Sequence, residues 1–201
     1  MKDNSTTIDF YNRNAENFIQ GTIDVDFTDV QEKFLKYMPN GSRILDFGCG
    51  SGRDSKYFLS KGFAVDAVDG SEELCNFASR ITGISVRRML FSELDEVASY
   101  DGIWACSSIL HLPKDELKDV FFKMTRAVKN EGYIYVSFKY GNFEGYRNDR
   151  YYTDFTEELF YEFLKEIPGV KVKELWISED VRPDRSDEKW LNLILQKLVT
   201  A

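Results

Sequence analysis

Cysteine, histidine and proline are scarce in this sequence of 201 residues. It contains three cysteines, one histidine and four prolines. The cysteines are far apart and form no CxxC pair, so they provide neither a disulfide framework nor the ligand spacing of a zinc site. One histidine and scattered acids likewise predict no metal centre. These absences fit a reducing compartment, and we expect a cytoplasmic protein.

Long apolar runs and an excess of positive charge are also missing. No stretch approaches the roughly 20 apolar residues of a membrane helix, and the polar residues 1–9 lack the apolar core of a signal peptide. We therefore expect no membrane partner. The net charge of −8 disfavours nucleic acid, because its recognition depends on cationic side chains. Aromatic residues are plentiful, with 16 Phe and 11 Tyr, and can fill a core or line a pocket.

The hydrophobic pattern predicts an α/β fold. Two amphipathic helices open the chain, and strand-like and helical segments then alternate. The predicted strands are 43–47, 63–68, 84–89, 102–106 and 133–138, and the predicted helices between them are 54–61, 71–80 and 114–129. This order favours a parallel sheet with helices on both faces. After a helix at 156–167, the runs 170–177 and 190–198 lack a crossover between them, so they should pair antiparallel.

A glycine-rich turn follows the first predicted strand. Residues 44–53 have the sequence ILDFGCGSGR. A dinucleotide fingerprint, G-x-G-x-x-G, would need a third glycine where Arg53 stands. The spacing is instead G-x-G-x-G, preceded by Asp46. A carboxylate beside a pyrophosphate is repulsive, whereas it favours the sulfonium and ammonium groups of S-adenosylmethionine. Spacing and charge together predict that cofactor.

The second strand ends in the sequence VDAVDGS, residues 65–71. Asp69 at the strand end can accept hydrogen bonds from both ribose hydroxyls of a nucleoside. Gly70 gives the backbone clearance, and Ser71 is placed to cap the next helix. Asp66 lies inside the strand and is less suited to that role.

Residues 46–52 together with 68–71 resemble motifs one and two of class I S-adenosylmethionine-dependent methyltransferases. The resemblance extends over nearly the whole chain and is nearest to small stand-alone bacterial enzymes of the tellurite-resistance-like branch. It implies one domain over 1–201, with a helical cap at 1–40, a cofactor-binding core at 41–139, and a substrate-side lid and terminal hairpin at 140–201. It also implies a Rossmann-like, seven-stranded, mostly parallel sheet ordered 3-2-1-4-5-7-6, with an antiparallel terminal strand.

The same resemblance assigns residues to the cofactor. Tyr11 would close over it and Asp69 would hold the ribose. Leu90 stands where the family often has an acid, so adenine recognition would rest on apolar packing and main-chain groups. The predicted S-adenosylmethionine-binding residues are Tyr11, Asp46, Gly48, Cys49, Gly50, Gly52, Asp69, Gly70, Ser71, Met89, Leu90, Phe91, Ala105 and Cys106. The product would be S-adenosylhomocysteine.

The sequence gives less information about the residues that bind the methyl acceptor. His111 follows the fourth strand and can serve as a base or orienter, or can be a structural histidine before Pro113. Nothing marks Cys106 as an activated nucleophile. Aromatic and arginine-rich segments at 140–152 and 179–185 should lie near the cofactor. The predicted substrate residues are Tyr140, Arg147, Arg150 and Arg182, with Arg185 nearby.

Guanidinium groups bind carboxylates and phosphates, which predicts a small polar or anionic methyl acceptor. The alternative is a set of surface arginines paired with Glu144, Asp149, Asp180 and Asp184. Methyl transfer depends mainly on in-line positioning, so a general base is optional.

The predicted function is methyl transfer from S-adenosylmethionine to a small molecule, by a monomer or weak homodimer. An RNA methyltransferase, a nicotinamide-dependent oxidoreductase and a non-catalytic cofactor-binding domain stay open.

Overall fold

The computed structural model describes residues 5–182, 185 and 187–199. The helices are α1 (Ser5–Arg13), α2 (Ala15–Gln20), α3 (Thr28–Leu35), α4 (Arg53–Ser60), α5 (Glu72–Thr82), α6 (Lys114–Ala127) and α7 (Glu157–Leu164). The strands are β1 (Arg43–Phe47), β2 (Ala64–Asp69), β3 (Arg87–Arg88), β4 (Tyr100–Ala105), β5 (Val128–Lys139), β6 (Glu144–Arg147), β7 (Arg150–Thr153), β8 (Val170–Glu179) and β9 (Lys189–Lys197). Short 3₁₀ helices occupy Phe91–Glu93 and Ile109–His111.

Seven strands form one sheet in the order β3-β2-β1-β4-β5-β9-β8. The pairs from β3 to β5 are parallel, and β9 is antiparallel to both β5 and β8. The predicted seven-stranded sheet and its antiparallel terminal strand are therefore confirmed. The weakly predicted strand at 84–89 is reduced to the two residues of β3, which pair with Val68 and Asp69 of β2.

Apolar layers cover both faces of the sheet, as the alternating pattern predicts. On one face, Val120 and Phe121 of α6 pack with Phe160 of α7 in the larger core. On the other face, Trp104 of β4 stacks on Tyr135 of β5 with ring centroids 4.0 Å apart, and α3 and α4 cover this pair. Burial on both sides fixes the central strands, so their carboxyl ends form a rigid edge.

The hairpin β6–β7 lies outside the main sheet and forms the middle of the predicted lid segment. Its turn residues Asn148 and Asp149 have φ values of 48° and 62°. Two consecutive positive values are typical of the I′ turn, which suits tight hairpins. The hairpin contacts α1, where the Tyr151 amide donates to Thr7 Oγ1 at 3.1 Å. Sequence analysis did not predict these two strands.

The helical cap lies over the carboxyl ends of β1, β2 and β4. Its first predicted helix is broken at Asn14 into α1 and α2, with the Asn14 side chain donating to the Phe10 carbonyl at 2.8 Å. Within the described residues, no helix is long and apolar enough to cross a bilayer.

Candidate active site

A cavity of about 650 Å³ lies between the cap, the hairpin and the carboxyl ends of the strands. Its volume is within the range of roughly 300–1,000 Å³ that is usual for small-molecule sites. Parallel α/β sheets bind ligands at this edge. The predicted residues in its wall are Tyr11, Gly48, Cys49, Gly50, Asp69, Gly70, Ser71, Met89, Leu90, Phe91, Cys106, His111, Arg150 and Arg182.

Two glycines of the turn, Gly48 and Gly50, leave no room for a side chain. Gly48 has φ of 89°, and a Cβ atom there would lie 2.5 Å from the Cβ of Ser108. Gly50 has φ of 54°, and its Cβ would lie 3.0 Å from the ring of Phe18 in α2. Side chains are disfavoured at such φ values, and here they would also fill the space between turn and cap. The turn therefore exposes bare backbone to the cavity.

Asp69 is held in place by the turn it faces. Its carboxylate accepts hydrogen bonds from the amides of Gly50 and Ser71, both at 2.9 Å. Burial raises the pKa of Asp69, and the bonds from these amides partly offset that rise. Ser71 caps α5 through a hydrogen bond from the Leu74 amide, as its position predicts. The remaining lone pairs of Asp69 are available to hydroxyl groups of a ligand.

Asp46 differs from the sequence-based interpretation, in which its charge faces the ligand. It is 2% exposed, lies outside the cavity wall, and accepts a hydrogen bond from Ser55 Oγ at 2.6 Å. Burial and the neighbouring charge of Asp54 raise its pKa well above the usual range. Gly52, packed against Ala78, and the fully buried Ala105 also lie behind the wall. These three residues shape the site without facing it.

Besides Asp69, a second acid faces the cavity near the turn, Asp54. Its carboxylate accepts hydrogen bonds from Arg53 Nε at 2.8 Å and from Trp104 Nε1 at 2.8 Å, and Gln31 Nε2 adds another at 2.7 Å. Arg53 also lines the cavity and lies over the Phe27 ring at 4.6 Å. Sequence analysis missed this pair as ligand-facing residues. Their place in the first turn of a helix after a glycine loop was the available signal.

Tyr11 and His111 meet on the opposite wall. The Tyr11 hydroxyl is 2.8 Å from His111 Nε2, and His111 Nδ1 is 2.6 Å from the Tyr151 carbonyl oxygen. Burial, with a smaller contribution from the charge of Arg150, lowers the pKa of His111 to about 4, although the hydrogen bond with the Tyr151 carbonyl opposes the decrease. The ring is therefore neutral at physiological pH. The predicted proximity of His111 to the cavity agrees with this placement, and its catalytic role stays a prediction.

Arg150 lies next to this pair without a counter-ion. Its guanidinium is 4.4 Å from the Phe10 ring and 5.4 Å from the Tyr152 ring. It makes no ion pair with any described residue, and its buried Nε lacks a hydrogen-bond partner there. The guanidinium is thus held between aromatic rings and keeps an unused donor, and its predicted role in substrate binding stays a prediction.

The other predicted substrate residues form ion pairs or hydrogen bonds with acids of the protein itself. Arg147 pairs with the buried Asp154, with Nη2 2.5 Å from Oδ2, and does not line the cavity. Tyr140 also lies outside it and donates to Glu157 at 2.7 Å. Arg182 lines the cavity but pairs with Asp180 through two hydrogen bonds, at 2.8 and 2.5 Å. Of the expected pairs, the structure shows Arg182 with Asp180. Arg147 and Arg185 pair with other acids, Asp154 and Glu188, and Arg150 has no ion pair among the described residues. Asp184 lies outside the described residues.

Lys139 adds a cation at this end that sequence analysis did not predict. Burial lowers its pKa to about 8, and Arg182 and Arg185 contribute to the decrease while Asp180 opposes it. Lys139 also contacts Glu188. It stands at the end of β5, and only the tertiary structure brings it next to the β8–β9 connection. Other wall residues that the sequence analysis did not predict include Ile8, Phe10, Asn14, Phe18, Ser108, Leu110, Trp190 and Asn192.

The cysteines in the wall are not activated. Burial raises the pKa of the Cys106 thiol to about 12 and that of Cys49 well above its usual value. Both stay protonated at neutral pH, which argues against a thiolate nucleophile.

Comparison with known proteins agrees with this geometry. Residues 44–132 match a family described as a methyltransferase domain. The chain is 33% identical over 105 residues to "Putative methyltransferase YqeM" of Bacillus subtilis (strain 168). The aligned region takes in 48% of this chain and 42% of that relative, so the chain spans less than half of the relative's length.

Two solved structures share the fold over almost the whole chain. One is 1,6-didemethyltoxoflavin-N1-methyltransferase of Burkholderia thailandensis, with its substrate and S-adenosylhomocysteine bound. It has a TM-score of 0.79 at 20% identity and covers 97% of this chain and 88% of its own. The other is magnesium protoporphyrin IX methyltransferase of Synechocystis with S-adenosylmethionine bound, with a TM-score of 0.74, 16% identity and 98% coverage of both chains. Residues 44–132 therefore match a methyltransferase domain, and the chain as a whole has the fold of these two S-adenosylmethionine-dependent enzymes.

The strand order shows that the extra hairpin is an insertion. The family's order 3-2-1-4-5-7-6 becomes β3-β2-β1-β4-β5-β9-β8 here because β6 and β7 are inserted after β5. The insertion places Arg150, Tyr151 and Tyr152 beside His111. The comparisons do not support the narrower tellurite-resistance-like branch, which stays a prediction. The same holds for the boundaries at 40 and 139.

Proposed function

We propose that this protein transfers the methyl group of S-adenosylmethionine to a small acceptor that carries an anionic group. The observation that carries the proposal is the sharing of one cavity by Asp69, held by the glycine turn, and by the unpaired Arg150. Asp69 suits a ribose, and Arg150 suits a carboxylate or phosphate. A cofactor and an acceptor can therefore lie side by side in a single space.

The cofactor end is supported by complementary chemistry along its length. Asp69 offers lone pairs to the ribose hydroxyls, while Met89, Leu90 and Phe91 form an apolar wall for the adenine. Leu90 is 38% exposed, as expected of a side chain that a flat ring would cover. Position 90 is a leucine and not an acid, so main-chain groups would supply the polar contacts of the adenine ring.

The methionine end has a cation and an anion next to each other. Arg53 matches the α-carboxylate of the cofactor, and Asp54 matches its α-ammonium group. Asp54 takes over the electrostatic role that sequence analysis gave to Asp46. Its four side-chain hydrogen bonds, two of them from Arg53, keep the carboxylate fixed, so little reorganisation is needed when a cation binds.

When bound, the cofactor supplies an electrophilic methyl group on a sulfonium that leaves without further activation. The protein's contribution is to hold the acceptor in line and to exclude water, and such positioning can lower a barrier by roughly 7–11 kcal/mol. Phe18, Tyr11 and Phe10 close the cavity from the cap. Arg150 fixes the acceptor's orientation from the hairpin side.

Calorimetry of the full chain with S-adenosylhomocysteine and with NADH tests this proposal. We expect saturable heat with the first ligand and none with the second. Asp69→Ala should weaken S-adenosylhomocysteine binding by roughly 10- to 100-fold, because about two hydrogen bonds to a charged acceptor are lost. Asp66→Ala is the matched control, since Asp66 pairs with Arg43 on the surface. Binding of NADH alone, or equal effects of the two variants, would disprove the assignment.

A further inference from the structure

The hydrogen bonds of His111 fix which of its nitrogens carries the proton. His111 is the only histidine of the chain. The Tyr151 carbonyl oxygen, 2.6 Å from Nδ1, can only accept a hydrogen bond, so Nδ1 must be the donor. In the neutral ring Nε2 then has a free lone pair. The Tyr11 hydroxyl, 2.8 Å away, therefore donates to Nε2, and its oxygen keeps a lone pair for one donor besides the Arg150 guanidinium.

Tyr11 occupies the space between the two ends of the cavity. Its ring contacts Phe18, with centroids 5.1 Å apart, and Phe18 backs Gly50 of the glycine turn. On its other side are His111 and the guanidinium of Arg150, which is 5.9 Å from the Tyr11 ring. A group anchored on Arg150 and directed at the glycine turn would thus pass the Tyr11 oxygen.

We propose that Tyr11 and His111 act as a proton relay for an acceptor whose methylated atom carries a hydrogen, as a hydroxyl or N–H group. This inference rests on the proposed function and makes it more specific. The acceptor class is an O–H or N–H nucleophile with an anionic substituent. A nucleophile without a proton to lose would have no use for the pair.

The relay accounts for every atom and electron of the transfer. The acceptor's lone pair forms the bond to the methyl carbon while the carbon–sulfur bond breaks and its electron pair stays on sulfur. The acceptor's proton passes to the Tyr11 oxygen as the tyrosine's own proton passes to His111 Nε2. The imidazolium then releases that proton to solvent, so one proton is released for each methyl group transferred.

The surrounding charges make the pair sensitive to the bound acceptor. The charged and titratable groups that face it are Arg150 and Tyr152 from β7, Asp69 from β2 and Arg182 from the β8–β9 connection. Burial raises the pKa of Tyr11 to about 12 and, with Arg150, keeps His111 unprotonated and able to accept. An anionic group paired with Arg150 would offset the charge that opposes an imidazolium. Binding of the right acceptor would therefore strengthen the base.

The acceptor class can be tested with matched compounds. The probes are hydroxybenzoates and imidazole carboxylates, each beside its O- or N-methylated counterpart, and the readout is formation of S-adenosylhomocysteine by the full chain. We expect turnover only for members with a free O–H or N–H. Turnover confined to the methylated counterparts, or none in the protic set, would overturn the acceptor class.

The pH profile separates a relay from a structural pair. With the best probe, the wild-type kcat should be flat from about pH 6 to 8, because His111 is neutral throughout. Tyr11→Phe and His111→Gln should lower kcat at pH 6 by about 10²- to 10⁴-fold. Their residual rate should then rise about tenfold per pH unit, because the acceptor must ionise by itself. Tyr161→Phe, an exposed tyrosine of α7, is the matched control.

A loss of the same size at every pH would assign the pair a structural role and overturn the relay. Nitrogen NMR of the single histidine adds a test that needs no acceptor. We expect the Nδ1–H tautomer in the complex with S-adenosylhomocysteine, and an Nε2–H tautomer would overturn the relay. His111→Gln should keep its affinity for S-adenosylhomocysteine, whereas failure of the proposed function would show as no binding by the wild type.

Discussion

Ser55 Oγ donates a hydrogen bond of 2.6 Å to the carboxyl group of Asp46, and this contact turns the first acid of the glycine motif away from the cavity. Asp46 is buried and its pKa is raised, chiefly by burial. A raised pKa in the folded state means that stability falls as pH rises from the usual carboxyl pKa through the folded one. The buried Asp46 carboxyl group thus lowers the stability of the fold at neutral pH and does not serve as a ligand-binding charge.

Asp46→Asn should therefore keep the affinity for S-adenosylhomocysteine within about twofold, because an amide can still accept from Ser55 and no ligand-facing charge is removed. Its free energy of unfolding, relative to wild type, should increase between pH 5 and pH 8. Calorimetry and urea denaturation at several pH values measure the two effects, and Asp66→Asn serves as the control. A tenfold loss of affinity would restore the sequence-based interpretation that Asp46 faces the cofactor.

The sheet and the cofactor turn were predictable because local patterns determine them. The strands around β1 are buried on both faces and therefore appear as apolar runs, and the spacing of Gly48 and Gly50 requires bare backbone. The direction of the Asp46 side chain was not predictable. It depends on Ser55, nine positions away, and on burial beneath α4, which no local pattern records.

The acceptor end was only partly predictable, because residues from distant segments build it. Arg150 and Arg147 have the same local signal, yet only Arg147 has a buried acid, Asp154, within reach. The hairpin itself had one usable signal. Asn148 and Asp149, flanked by aromatic residues, are typical of a tight hairpin turn.

Substitution by glutamine should lower the free energy of unfolding more at Arg147 than at Arg150. Arg147→Gln leaves the buried carboxylate of Asp154 without its cation, and we expect a loss on the order of 2–3 kcal/mol in the free energy of unfolding, since Arg147 is half-exposed. Arg150→Gln removes a cation that has no ion pair among the described residues but contacts the rings of Phe10 and Tyr152, and we expect a smaller loss of about 1 kcal/mol. Thermal or urea unfolding of both variants provides the comparison.

Binding of an anion should depend on Arg150 and not on Arg147. Benzoate added to the complex with S-adenosylhomocysteine should bind to wild type and Arg147→Gln and be lost in Arg150→Gln, because only Arg150 offers an unpaired guanidinium to an anion. Equal benzoate affinities in all three proteins would count against Arg150 as the anion anchor.

Gly50 and Gly62 provide a matched pair for the glycine turn. Both have positive φ, 54° and 85°, so alanine should cost each about 1–2 kcal/mol of stability. At Gly62 a Cβ would meet nothing within 4 Å, whereas at Gly50 it would press on the Phe18 ring at 3.0 Å and narrow the cavity. Gly50→Ala should therefore also weaken S-adenosylhomocysteine binding at least tenfold, and Gly62→Ala should not. The test is calorimetry of both variants, and equal affinities would show that the turn does not touch the cofactor.

His111 should make the fold sensitive to mild acid. Its pKa is lowered from 6.5 to about 4, mainly by burial, so the unfolded chain binds a proton at pH values where the folded protein does not. Stability is then fully present above the unfolded pKa and falls as pH drops from about 6.5 towards 4, by up to roughly 3 kcal/mol. His111→Gln cannot titrate, so its free energy of unfolding should fall less over this range, as urea denaturation at pH 7, 6 and 5 would reveal. Because the carboxylates titrate alike in both proteins, the difference between the two curves isolates the histidine. Parallel curves would mean that the pKa of His111 is the same in the folded and the unfolded chain, so that burial does not keep the ring neutral in mild acid.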